Sequence, residues 1–120
     1  MPRAPRKRTS GKTSATLRLS RAHLDQLIEE ATIDAYGESE QLMGFYTKID
    51  DELARPFSTE VLGVPVTVER IDLTEHDEIV AICQRGRHRQ SIPVLDLPLP
   101  SPPPEGTEWI EAYRRWAGGG

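Results

Sequence analysis

Three clusters of carboxylates stand out among the 19 Asp and Glu residues of this 120-residue chain. Asp34, Glu38 and Glu40 flank a glycine, Asp50, Asp51 and Glu52 are contiguous, and Glu75, Asp77 and Glu78 precede an apolar run. Calcium takes roughly six to eight oxygen ligands at flexible geometry, and clustered carboxylates, carbonyls and water supply them. Asp34, Glu38, Glu40, Asp50, Asp51, Glu52, Asp77 and Glu78 are therefore the candidate ligands of a hard divalent cation. The alternating acids and central glycine of an EF-hand loop are absent, so such a site is of another kind. Without a metal, the same residues are solvated surface charge. The run at 50–52 is the least expected of the three. It closes a helical pattern, and the negative end of a helix dipole disfavours acids by about 0.3 kcal/mol or more each.

Other chemistries find less to work with. The stretch Ser10-Gly11-Lys12-Thr13 ends like a phosphate-binding loop, but Arg6 stands where the first glycine belongs and no strand precedes it. Cys83, His76 and His88 lack the paired spacing of a zinc site. His76 sits among acids with no serine or cysteine motif beside it, so the chain is read as non-enzymatic. Basic residues suggest an alternative function, a small-barrel module for nucleic acid or protein. Its candidates are Arg6, Lys7 and Arg8 in an N-terminal arm and Arg85, Arg87 and Arg89 in a turn. No aromatic stacking platform interleaves with these cations, which weakens the nucleic-acid side of that alternative.

The net charge of −4 conceals a division. Residues 1–21 carry seven basic side chains and no acid, whereas residues 22–120 hold 8 Lys and Arg against 19 Asp and Glu, a net of −11. An acidic body attracts cations or basic partners, and the basic arm suits an anionic one. No apolar run is long enough to span a membrane, and the N-terminus lacks the apolar core of a secretory signal. The arm's Arg- and Ser-rich character would also suit an organelle transit peptide. With a single cysteine and no signal, the expectation is a reducing, cytoplasmic setting.

Periodicity places the acids on elements. Ser20 reads as the cap of a helix over 21–36, with Leu24, Leu27, Ile28, Ala31 and Ala35 on one face. A second helix over 38–53 buries Leu42, Phe45, Tyr46, Ile49 and Leu53 and is stopped before Pro56. Gly44 inside it costs about 1 kcal/mol against Ala, so another backbone is expected to approach closely there. The period then changes to two, giving strands in 57–63, 64–73, 78–84 and 90–97. The segment 98–106 reads as a solvated polyproline linker, followed by a short helix with Thr107 as its cap and Trp109, Ile110, Tyr113 and Trp116 on one face.

The run Asp34-Ala35-Tyr36-Gly37, with Glu40, Gly44-Phe45-Tyr46 and then Pro56-Phe57, resembles the small calcium-binding proteins of the cyanobacterial CcbP family. The likeness covers roughly residues 22–99. It implies a soluble acidic protein that binds calcium without catalysis, as buffer or sensor, on helices beside a small β-barrel. It implies nothing for the basic arm or the Trp-rich helix. The expected fold is α+β: an N-terminal helical hairpin packed on a small antiparallel SH3-like β-barrel, with a short C-terminal helix. The expected divisions are a disordered basic arm (1–19), an α+β domain (20–97), a Pro-rich linker (98–106) and a terminal helix and tail (107–120).

Overall fold

Ser20 opens the first helix as expected, its hydroxyl accepting the His23 N–H at 3.0 Å. The computed structural model describes residues 19–118, so the basic arm with Arg6, Lys7 and Arg8 lies outside the described residues. Helix α1 (Arg21–Ala31) is shorter than its apolar pattern predicts. The Thr32 hydroxyl donates to the Ile28 carbonyl at 2.7 Å, and Asp34 turns the chain at a φ of 63°. A short polar side chain tolerates that left-handed conformation better than most. Helix α2 (Glu38–Glu52) then starts from Gly37, whose φ of 145° suits glycine. Gly44 plays the part predicted for it. A Cβ there would collide with the Ala31 carbonyl oxygen, so glycine is what lets α1 and α2 cross closely.

Four strands follow: β1 (Phe57–Val61), β2 (Val64–Leu73), β3 (Ile79–Arg85) and β4 (His88–Pro93). All pairings are antiparallel, in the order β1-β2-β3-β4. A register shift between Val68 and Arg70 bends the long β2. The two-residue connections at Leu62–Gly63 and Gly86–Arg87 use left-handed backbone, with φ of 52° and 78° in the first and 59° at Gly86.

The sheet stays open, and the expectation of a closed barrel is corrected. Closure would pair β1 with β4, whereas the chain after β4 makes a 3₁₀ turn (Val94–Asp96) and returns past β1. There Thr59 donates its hydroxyl to the Pro98 carbonyl at 2.7 Å. Helices, not more sheet, cover the apolar face. Residues 98–106 are likewise more than a solvated spacer. Ala54 N–H donates to the Glu105 carbonyl at 2.8 Å, and Gly106 lies so close to the Glu52 carbonyl that a Cβ would collide with it.

This strap delivers α3 (Thr107–Gly118) into the core. The Thr107 hydroxyl donates back to the Pro104 carbonyl at 2.6 Å, and Ile110 and Ala112 are fully buried. α3 packs against both α1 and α2, so the helical layer has three members in place of a two-helix hairpin. Phe45 meets Tyr113 and Trp116 at ring separations of 5.7 and 5.1 Å. Arg115 pairs with Asp25 at 2.8 Å, and Trp116 donates its indole N–H to Gln41 at 2.9 Å. Among the described residues no helix is long and apolar enough to cross a membrane.

Candidate cation site

One of the three acids at the end of α2, Asp50, finds its counter-charge within the chain. Arg55 donates to the Asp50 carboxylate at 3.1 Å and to the Asp50 backbone carbonyl at 2.6 Å. One guanidinium thus satisfies an orphan helix-end carbonyl and neutralises the acid beside it. Asp51 and Glu52 stay exposed. Arg55→Ala is expected to cost about 1–2 kcal/mol, because a partly buried, charge-assisted pair of bonds is lost. Asp50→Asn should be near neutral, since a weakened ion pair is offset by relief of the dipole. Urea melts of both variants check this; equal costs would mean that the carbonyl bond contributes little.

The interhelical acids divide. Glu40 accepts the Tyr36 N–H at 2.9 Å and so fixes the loop that precedes α2. Asp34 and Glu40 line a shallow depression together with Glu30 and Lys48, the latter two paired at 3.4 Å. A cation is already in place there.

Glu38 behaves differently. It lines a second depression, of about 510 Å³, together with Ser39, Leu42, Asp77, Tyr113 and Trp116. Asp77 comes from the β2–β3 turn, whose shape Thr74 dictates. The Thr74 hydroxyl accepts the N–H groups of His76 and Glu78, both at 3.2 Å, and its carbonyl accepts that of Asp77 at 3.0 Å. Asp77 itself takes a φ of 62°, a conformation Asp tolerates. One acid from each of two clusters distant in sequence therefore faces the same hollow, and among the described residues no Lys or Arg lines it. Glu78 lies within electrostatic reach. Burial pushes the Tyr113 phenol above its ordinary value of 10.0, and the Glu78 carboxylate raises it further, against a lowering by its hydrogen bond with the Ile79 backbone.

The side chains around the hollow that could ligate a metal offer oxygen alone, a set that suits calcium or magnesium better than zinc. Among the described residues, no three His, Cys, Asp or Glu side chains gather as a metal-holding group. A cation here would rest on two carboxylates, a serine hydroxyl, carbonyls and water. Tyr113 and Trp116 belong to this site, and the sequence reading did not include them. The aromatic stripe of α3 is visible in the sequence, but what it covers is not.

The remaining candidates lie elsewhere. Cys83 is buried in β3, and burial raises its thiol above the ordinary 9.0, so it is a core residue with little thiolate. Arg85, Arg87 and Arg89 cluster at the β3–β4 turn, where Arg89 pairs with Glu69 at 3.7 Å and donates to Gln84 at 3.1 Å. Asp34, Asp50, Asp51 and Glu52 are not brought to the Glu38–Asp77 hollow. In comparisons with known proteins, no family model, no curated protein and no solved structure matches the chain.

Proposed function

We propose that the protein binds calcium without catalysis, as a buffer or sensor, in the hollow between the first turn of α2 and the β2–β3 turn. The observation that carries this reading is that Glu38 and Asp77 line one depression that, among the described residues, no basic side chain lines. Like charges held opposite one another repel, and a divalent ion converts that repulsion into attraction. Glu38 and Asp77 are the anchoring ligands, and Glu78 adds charge from beside them. The positive end of the α2 dipole works against a cation, as does the small number of carboxylates. The dissociation constant is accordingly on the order of 10⁻⁵ to 10⁻⁴ M, weaker than a dedicated EF-hand buffer. Magnesium binds more weakly still, since it dehydrates reluctantly and demands strict octahedral geometry.

Binding to the folded state alone raises stability by about 2.7 kcal/mol at 100 times the dissociation constant. Thermal melts in chelator and in excess calcium, at matched ionic strength, read this directly. Tyr113 supplies a local reporter. Calcium beside Glu78 offsets the charge that helps raise the phenol, so the Tyr113 component of the tyrosinate titration should shift to lower pH when calcium is present. An unchanged melting temperature together with an unchanged tyrosine titration overturns the reading.

A further inference from the structure

The two hairpins end side by side, at Leu62–Gly63 and Gly86–Arg87, and between their tips lies an open trough of about 520 Å³. Its floor is aliphatic, from Val61, Val64 and Val66 with Cys83, and its wall is basic, from Arg85, His88 and Arg89. Among the described residues, none from a helix lines it. Arg85, Arg87 and His88 have no side-chain hydrogen bond or ion pair among the described residues, unlike Lys48, Arg55, Arg89, Arg114 and Arg115, which are all paired. Leu62 is 97% exposed and holds a φ of 52°. Asn, Asp or Gly normally occupies that turn position, so Leu62 is unfavourable there both in conformation and in hydration. Backbone strain combined with apolar exposure at one point motivates a functional explanation.

We propose that this end of the sheet docks an acidic, extended segment of a partner protein, with aliphatic side chains of the segment in the trough against Leu62 and its carboxylates on Arg85, Arg87 and His88. Charge selects the occupant. Residues 22–120 carry a net of −11, so Arg85 and His88 on the trough wall, with Arg87 in the adjoining turn, form a local attractor for an acidic ligand on a body that repels anions elsewhere. Duplex nucleic acid fits less well, because its extended phosphates would also meet a strongly acidic body and, among the described residues, no aromatic side chain lines the trough for stacking. A second copy is disfavoured too. A two-fold contact sets the patch against itself, opposing Arg85 and Arg87 to their own copies. Among the described residues β4 has no strand on its outer side, so an extended segment also finds backbone groups to pair with.

The test is fluorescence anisotropy of a short labelled peptide alternating Glu with Leu, titrated with the full chain. Saturable binding is expected. It should weaken at least about tenfold in the double variant Arg85→Gln with Arg87→Gln, since two charge-assisted contacts are removed. Leu62→Asn gives the second arm. Asn tolerates the left-handed backbone, so this variant should melt higher while binding the peptide several-fold more weakly, a combination that general unfolding cannot produce. Replacing Glu by Gln, or Leu by Ser, in the peptide should abolish binding. The proposal is overturned by absence of saturable binding at millimolar peptide, or by equal affinity in the variants. It is equally overturned by tighter binding of a DNA duplex through the same arginines, or by a concentration-dependent dimer that Leu62→Asn abolishes.

Discussion

Replacing Phe45 with Ala is expected to cost about 3–5 kcal/mol, a large share of the roughly 5–15 kcal/mol that stabilises a domain of this kind. The ring is fully buried and sits where α2 meets α3, against Tyr113 and Trp116. Truncation removes the transfer energy of the ring and leaves a cavity that two large aromatic neighbours cannot fill by small shifts. Phe45→Leu keeps most of the volume and should cost less than half as much. Urea unfolding of the two variants measures the difference. A cost below about 1 kcal/mol for Phe45→Ala would mean that α3 does not close over α2 as described. Because Tyr113 and Trp116 also line the hollow proposed to bind calcium, both variants should weaken the cation response along with stability.

Gly44→Ala should carry the next largest effect, and two opposing terms decide its sign. Helix propensity alone would favour Ala by about 1 kcal/mol. The new Cβ, however, would overlap the Ala31 carbonyl oxygen, which is backbone and cannot swing aside. α1 must move away, and overpacking of this kind typically costs about 1–3 kcal/mol and sometimes more. Because the clash is with backbone, the cost lies at or above the top of that range, about 3 kcal/mol, and subtracting the propensity gain leaves a net loss of about 2 kcal/mol or more. Gly106→Ala meets the Glu52 carbonyl in the same way and adds strain from a φ of 93°. Gly118→Ala is the control. Nothing lies within 4 Å of its Cβ position, so Ala there should be neutral or slightly stabilising. Melting temperatures of the three variants would separate these cases, and a stable Gly44→Ala protein would refute the close crossing of α1 and α2.

What the sequence made legible was local. The Ser20 cap, the extent of α2, the reason for Gly44 and the two hairpins follow from period, cap chemistry and turn residues within a few positions of one another. The shortening of α1 was missed because Ala35 continues the apolar stripe, while Thr32 and Asp34 end the helix through their own side chains and backbone. The open sheet and the strap were not legible, since contacts such as Thr59 with Pro98 or Gly106 with Glu52 join distant positions and leave no periodic signature. The acids show the same division. Their clustering is plain in the sequence, yet Asp50 is answered by Arg55 five residues away, and Glu40 is used to hold its own loop. Glu38 and Asp77, read as members of separate clusters, line the same hollow in the fold.

The most direct test of calcium binding at that hollow is a calorimetric titration of calcium at fixed ionic strength into the wild-type chain and two double variants. The wild type should bind with a constant on the order of 10⁻⁵ to 10⁻⁴ M. Glu38→Gln with Asp77→Asn should weaken binding by about tenfold or more, since it removes both anchoring charges from a site tuned by ligand charge. Asp51→Asn with Glu52→Gln should leave the affinity within about twofold, because those acids lie away from the hollow. Absence of any heat at millimolar calcium, or full affinity in the Glu38–Asp77 variant, would contradict the proposal.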